Sequence, residues 1–220
     1  MSTLGDFTVA TPRGLPVLLL LDVSGSMEAE GKIGVLNEAV EEMLGSFSDE
    51  DGNRAEIQVA VITFGDGVAE VYQPLAPAAE VEWEPMDAVG NTPMGAALSM
   101  ATSIIEDHKQ IPSRAYRPTI VLVSDGRPND AWEAPLEELL HSDRASKAAR
   151  FALAVGSDAD SAMLARFIGD DRVPVFEAHQ ARQIQQFFRW VTMSVTQRVR
   201  SVSPDSAVAM EPPSLDDFEF

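Results

Sequence analysis

Val17-Leu18-Leu19-Leu20-Leu21-Asp22-Val23-Ser24-Gly25-Ser26 is the stretch that decides the fold. Five consecutive apolar residues predict a strand that is buried on both faces, as in a parallel sheet covered by helices. The strand ends in a carboxylate, and a glycine turn places two hydroxyls close to it. Oxygen ligands without histidine or cysteine suit a hard cation such as Mg²⁺. The stretch therefore predicts a metal pocket at one edge of a sheet.

Further apolar runs alternate with helical patterns along the chain. Runs rich in β-branched residues predict four more strands, and apolar stripes at helical spacing predict helices between and after them. Together they predict a doubly wound α/β fold, with helices on both faces of a mainly parallel sheet. Residues 68–75 follow Phe64 too closely for a helical crossover, so they predict one antiparallel edge strand. The predicted strands are residues 17–21, 57–64, 68–75, 119–123, 151–155 and 173–176, and the predicted helices are residues 32–47, 92–105, 131–150, 161–168 and 181–198. The helical pattern of residues 131–150 is less regular, because Pro135 and the Ser142-Asp143 pair interrupt it.

The length and composition of the chain predict one domain with two extensions. The chain has 220 residues, of which 45% are hydrophobic, and this is enough for one sizeable core. We expect an N-terminal extension over residues 1–14, a folded domain over residues 15–200 and a flexible acidic tail over residues 201–220. The tail has three prolines, five acidic residues and no basic residue. It is either a solubilising end or a segment that docks Phe218 and Phe220 into a partner.

Charge and cysteine content exclude several classes of function. Lys and Arg total 16 against 35 Asp and Glu, and the formal charge of −19 disfavours binding to nucleic acid or to an anionic membrane. The absence of cysteine excludes disulfides, thiolate metal sites and cysteine nucleophiles. The N-terminal residues lack the pattern of a secretion signal, and the apolar run is too short to span a bilayer. We therefore expect a cytoplasmic protein without membrane insertion.

Two further segments place oxygen ligands at the carboxyl edge of the predicted sheet or at the start of a helix that faces this edge. Thr92 directly precedes the second predicted helix, and Asp125 closes the strand at residues 119–123. If the strands that bear Asp22 and Asp125 are neighbours, the two carboxylates can converge with the three hydroxyls. Each motif alone is common in turns and helix caps, but three in this order at matching strand ends predict one shared metal site. The predicted ligands are Asp22, Ser24, Ser26, Thr92 and Asp125.

These five residues resemble the metal-ion-dependent adhesion site (MIDAS) of von Willebrand factor A (VWA) domains. The DxSxS, T and D pattern of that family is matched at all five positions, and the resemblance covers about residues 15–198. Within the family, the chain is most similar to bacterial tellurium-resistance proteins of the TerY type. It lacks the cysteine-rich zinc extension of some larger members. The stretches that carry the similarity to TerY-type proteins are Leu15-Pro16-Val17, Ser124-Asp125-Gly126 followed by Asp130-Ala131-Trp132, and Phe187-Phe188-Arg189-Trp190-Val191.

The resemblance implies a mode of binding and a biological setting. It implies that Ser24, Ser26 and Thr92 hold Mg²⁺, and that Asp22 and Asp125 contact the ion directly or through water. Mn²⁺ or Ca²⁺ are the alternatives. A glutamate or aspartate of a partner protein would complete the coordination. The resemblance also suggests a bacterial stress or defence system that includes protein kinases and PP2C-type phosphatases.

Several residues close to the motifs are candidates for partner contact. Acidic side chains around the site could select a basic rim on the partner, although a solvated loop is the simpler explanation for each one taken singly. Trp132 could pack or contact the partner, whereas Trp190 lies near an apolar helical stripe and is expected to pack. The predicted partner-binding residues are Glu28, Asp66, Asp130 and Trp132.

Two other classes of function compete with a binding module. A haloacid-dehalogenase-like phosphatase also uses Mg²⁺ and an aspartate after the first strand. It needs a second aspartate two residues later as general acid, and here that position is Ser24. No phosphate-binding glycine loop is present, and the three histidines are scattered along the chain. A phosphoacceptor regulatory protein is the remaining alternative. The sequence thus predicts a non-enzymatic protein-binding module.

Overall fold

Six strands form a twisted sheet in the computed structural model, which describes residues 12–50 and 55–206. The strands are β1 (Arg13–Asp22), β2 (Ala55–Gly65), β3 (Val68–Pro77), β4 (Thr119–Ser124), β5 (Ala149–Val155) and β6 (Phe176–Ala178). Their spatial order is β3-β2-β1-β4-β5-β6. All neighbouring pairs are parallel except β2 and β3, which form the antiparallel hairpin at one border. The predicted fold class is confirmed, including its antiparallel edge strand.

Five α-helices cover the two faces of this sheet in the described part of the chain. They are α1 (Lys32–Ser48), α2 (Met94–Glu106), α3 (Glu133–His141), α4 (Ser161–Ile168) and α5 (Ala181–Arg200). Helices α1 and α5 pack on one face, and α2, α3 and α4 pack on the other. In β1, Leu19 and Leu21 face α1 and α5, whereas Leu18 and Leu20 face the opposite core. Since β1 is buried on both faces, its sequence is apolar without alternation.

The connections of the chain diverge at the carboxyl ends of β1 and β4. After β1 the chain passes through α1 to β2 on one side, and after β4 it passes through α3 to β5 on the other side. The two central strands are direct neighbours, with Leu21 opposite Val123. Ligands of open α/β sheets bind in the crevice at such a switch in strand order. The fold therefore places the ends of β1 and β4 at the expected binding position.

The border strands of the sheet are irregular or short. The pairing of β3 with β2 changes register on both sides of Val61, and β3 contains Pro74 and Pro77. At the opposite border, β6 has only three residues. The predicted strand at residues 173–176 is therefore wrong in position. Val173 and Val175 pack against the cores from a loop, and pairing with β5 begins at Phe176.

The predicted interruption of the helix at Ser142-Asp143 is confirmed, but the helix does not resume after it as predicted up to residue 150. Helix α3 ends at His141, and Ser142 has an extended backbone with ψ of 163°. The carboxylate of Glu106 then accepts hydrogen bonds from the backbone N–H groups of Arg144 and Ala145, at 2.8 and 2.9 Å. These bonds satisfy the backbone N–H groups of a turn, which takes the place of further helix. Strand β5 then begins at Ala149. The helix predicted from Thr92 begins at Met94.

The predicted extensions lie mostly beyond the described residues. Strand β1 begins at Arg13, within the predicted N-terminal extension, and α5 ends at Arg200. Residues 1–11 and 207–220 lie outside the described part, so the predictions for the N-terminal extension and the acidic tail remain predictions. In the described ranges, every helix is too short or too polar to cross a membrane.

Candidate metal centre

Asp22 lies at the end of β1 with both carboxylate oxygens engaged. Its side chain is fully buried. The backbone N–H of Ser24 donates a hydrogen bond to Oδ1 at 2.9 Å, and the hydroxyl of Ser124, at the end of β4, donates to Oδ2 at 2.6 Å. The carboxylate thus joins the ends of the two central strands, and its orientation is fixed by bonds on both sides.

The burial of Asp22 has an electrostatic cost. Burial raises the pKa of its carboxyl above the ordinary value of 3.8, because the charged form loses hydration. The hydrogen bonds from Ser124 and Ser24 act in the opposite direction, and the nearby charge of Asp125 raises the pKa further. A cation beside Asp22 would stabilise its charged form, since it offsets the cost of burial.

A chain of hydroxyls connects the first motif with the second carboxylate. The Oγ atoms of Ser24 and Ser26 lie 3.1 Å apart. Ser26 donates a hydrogen bond to Oδ1 of Asp125 at 2.6 Å. Residues that are distant in sequence are therefore in direct contact, because β1 and β4 are neighbours and both end at this edge.

Thr92 reaches the same place from the loop before α2. It is largely buried, and its Oγ1 lies 3.5 Å from the point that a Cβ atom would occupy on Gly126, next to Asp125. The loop is attached to the first motif, because the carbonyl oxygen of Gly90 accepts a hydrogen bond from the N–H of Gly25 at 2.9 Å. All five predicted ligands thus lie around the crevice between β1 and β4.

Two contacts at the site were not predicted from the sequence. Lys32, the first residue of α1, donates from Nζ to Oδ2 of Asp125 at 2.8 Å. Ser124, quoted only as part of a motif, donates to the buried Asp22. One signal for Lys32 is present in the sequence: a cation in the first turn of a helix opposes the helix dipole, so a nearby anion would account for its position.

The predicted partner-binding residues lie in different environments. Glu28 and Asp66 are exposed, the first in the short 3-10 helix before α1 and the second between β2 and β3. Asp130 is partly buried and binds backbone groups of α2. Trp132 is partly buried against the core of α2, α3 and α4, and the guanidinium carbon of Arg166 lies 5.0 Å from its ring centroid. Their contact with a partner stays a prediction.

Asp130 has a structural contact that can be tested directly. Its carboxylate accepts hydrogen bonds from the N–H groups of Gly95 and Ala96, both at 2.9 Å, in the first turn of α2. Asp130→Ala is expected to lower the free energy of unfolding by about 1–2 kcal/mol, the usual effect of losing such a cap. Urea unfolding would measure it. Glu133→Ala, at an exposed position, is the control, and equal small losses in both variants would contradict the capping role.

The donor set fits a hard divalent cation. Carboxylate and hydroxyl oxygens converge from three segments, and such ligands suit Mg²⁺ better than softer metals. Within residues 12–50 and 55–206, no cluster of three or more His, Cys, Asp or Glu side chains could hold a metal. An ion in this crevice would therefore depend on the neutral hydroxyls of Ser24, Ser26 and Thr92 in addition to the two carboxylates.

Comparison with known families identifies the class of protein. The family model of the von Willebrand factor type A domain matches residues 17–127, just over half of the chain. The chain therefore belongs to the von Willebrand factor type A domain family, whose members are commonly metal-dependent adhesion or protein-interaction modules. A comparison with curated proteins finds no match.

Solved structures share the fold at low sequence identity. A von Willebrand factor type A protein from Catenulispora acidiphila is 19% identical with a TM-score of 0.64, covering 84% of this chain and 43% of that one. The pilus adhesin SpaC from Lactobacillus rhamnosus GG, in an open conformation, is 15% identical with a TM-score of 0.69, covering 85% and 30%. Proximal thread matrix protein 1 from the mussel byssus, with a zinc-occupied MIDAS motif, is 17% identical with a TM-score of 0.63, covering 82% and 45%. The chain spans less than half the length of each.

Proposed function

We propose that this chain is a non-enzymatic binding domain that captures an acidic group of a partner protein through a bound divalent cation. The observation that carries the proposal is the contact of the two motifs through Ser26 and Asp125, with Ser24 and Thr92 beside them. Ser24, Ser26 and Thr92 would hold Mg²⁺, and Asp22 and Asp125 would contact it directly or through water. The bound ion would supply positive charge for one more carboxylate oxygen, that of the partner.

The arrangement of Asp22 supports binding over catalysis. Both of its oxygens accept hydrogen bonds, from Ser24 and Ser124, and its side chain is fully buried. A phosphatase that uses this aspartate as nucleophile needs a nearby general acid, and the residue two positions later is a serine. These features favour a fixed ligand role for Asp22.

We further propose a TerY-type protein of a bacterial stress response, located in the cytoplasm. The support is the sequence of the stretches around residues 15–17, 124–132 and 187–191, together with the absence of cysteine. A protein kinase and a PP2C-type phosphatase are the proposed partners of this system, and they rest on the resemblance alone.

Removal of one hydroxyl tests the metal site with little change in shape. Thr92→Val is expected to weaken Mg²⁺ binding at least about tenfold, the loss that even outer-shell partners of a metal commonly cause. Isothermal titration calorimetry would measure the affinity. Thr102→Val is the matched control, because Thr102 is also buried but its hydroxyl donates a hydrogen bond to the carbonyl oxygen of Leu98 within α2. Equal affinities of Thr92→Val and the wild type would contradict the proposed ligand set.

Capture of a carboxylate can be tested with a small probe. Acetate is expected to shift the NMR signals of the Gly25, Ser26 and Met27 amides in the presence of Mg²⁺ but not in EDTA. Acetamide, which is neutral and similar in shape, is expected to leave them unchanged. Identical acetate shifts with and without Mg²⁺ would contradict capture through the ion. Steady phosphate release from a model ester, lost in Asp22→Asn, would favour the phosphatase.

A further inference from the structure

Lys32 places a positive charge inside the candidate site. Its Nζ lies 2.8 Å from Oδ2 of Asp125, and Ser26 donates to the other oxygen of the same carboxylate. The side chain of Asp125 is fully enclosed, and that of Lys32 is 19% exposed. An ion pair with one enclosed partner is screened by water less than a surface pair.

The backbone around Lys32 directs the side chain into the crevice. Glu30 and Gly31 both have positive φ, 58° and 69°, so the chain turns sharply before α1 begins. The lysine then extends towards the end of β5, where a Cβ atom on Gly156 would lie 3.6 Å from Nζ. Helix dipole effects disfavour a cation in the first turn of α1. Contact with Asp125 is therefore what accounts for the position of the ammonium group.

Lys32 changes the formal charge of the site, both without and with a bound divalent cation. Asp22 and Asp125 carry two formal negative charges, and Lys32 reduces the sum to one negative charge. With a divalent cation bound, the sum becomes one positive charge. The ammonium group repels the metal, and the loaded site retains a charge that one external carboxylate would neutralise.

We propose that Lys32 is an internal cation that weakens Mg²⁺ binding when no acidic group is bound. It thereby couples the binding of Mg²⁺ to the binding of an acidic group. This inference rests on the proposed function, because it takes the five oxygen ligands as the metal site. Coupling is reciprocal: a carboxylate that increases the affinity for Mg²⁺ has its own affinity increased by Mg²⁺ to the same extent. Lys32 acts here as a positioning and tuning residue and is not itself a ligand.

Replacing Lys32 with a neutral, unbranched side chain of similar length tests the proposal. Lys32→Met is expected to bind Mg²⁺ at least about tenfold more tightly than the wild type in calorimetry, since a like charge close to the ion is removed. Acetate is expected to increase the Mg²⁺ affinity of the wild type more than that of Lys32→Met. Lys147→Met, at an exposed lysine away from the crevice, is the control and is expected to match the wild type.

Thermal melting adds a readout that is independent of calorimetry. In EDTA, Lys32→Met is expected to melt below the wild type, because enclosed Asp125 has lost its cationic partner. Mg²⁺ is expected to raise the melting temperature of the variant more than that of the wild type. Circular dichroism would confirm that the variant is folded.

The outcomes separate this proposal from the proposed function. Equal or weaker Mg²⁺ binding by Lys32→Met, with binding still lost in Thr92→Val, would overturn the role of Lys32 and leave the metal site in place. If Lys32→Met binds Mg²⁺ more tightly than the wild type but Thr92→Val binds it as the wild type does, the role of Lys32 is supported. Only the proposed ligand set is then contradicted. If neither the wild type nor Lys32→Met binds Mg²⁺, both proposals are overturned.

Discussion

Trp190→Ala is expected to lower the free energy of unfolding by about 3–5 kcal/mol, the usual range for removing a buried aromatic side chain. Trp190 is 2% exposed and lies in α5. Its ring centroid is 4.8 Å from that of Phe151 in β5, 4.7 Å from that of Phe176 in β6 and 6.2 Å from that of Phe187 in α5. Alanine would leave a cavity among three aromatic rings that join α5 to the edge of the sheet, and partial collapse would not restore these contacts.

Urea unfolding followed by circular dichroism would measure the effect of Trp190→Ala. Met193→Ala is the matched control, because Met193 lies on the same helix but is 45% exposed. We expect it to cost less than about 1 kcal/mol, as for most surface substitutions. Similar losses in the two variants would contradict a dominant contribution of the aromatic cluster, because alanine favours the helix at both positions.

Gly90→Ala is expected to lower the free energy of unfolding by about 3 kcal/mol or more, from overpacking combined with an unfavourable backbone angle. Gly90 has φ of +72°. A Cβ atom there would lie 2.2 Å from the Cα atom of Asp66 and 2.4 Å from its backbone nitrogen. Backbone atoms of a hairpin cannot rotate away as a flexible side chain can, so one of the two loops must move.

The movement caused by Gly90→Ala should also reach the candidate site. The carbonyl of Gly90 is bonded to the N–H of Gly25, and Thr92 follows two residues later. We therefore expect Mg²⁺ affinity to fall together with stability. Gly67→Ala separates the two causes, because Gly67 has a similar φ of +77° but nothing within 4 Å of its Cβ position. That control should lose only about 1–2 kcal/mol, and an equal loss in both variants would contradict the steric explanation.

The fold could be predicted because its signals are local and continuous. The uninterrupted apolar run at residues 17–21 indicates a strand buried on both faces, and the short interval after Phe64 indicates a hairpin. The convergence of Asp22 and Asp125 required one additional assumption, that their strands are neighbours, and the pairing of β1 with β4 confirms it. Packing of Trp190 in the core is also confirmed.

The missed features depend on contacts between distant residues. Lys32 and Asp125 are 93 positions apart, and helical periodicity does not report which side chain crosses the end of a sheet. The Ser142-Asp143 pair indicates where α3 ends, but the turn that follows involves the carboxylate of Glu106, which is distant in sequence and accepts hydrogen bonds from Arg144 and Ala145. Val173 and Val175 have strand propensity, but only the residues opposite β5 can pair.

The borders of the sheet have a consequence for self-association. A strand from a second molecule that approached β3 would meet Pro74 and Pro77, which have no N–H to donate, along a strand whose pairing is already irregular. At the other border, the three residues of β6 offer too short a template for addition. Edge-to-edge growth into fibrils is thus disfavoured despite the apolar centre of the sheet, and any stable dimer of this domain should form through helices or loops.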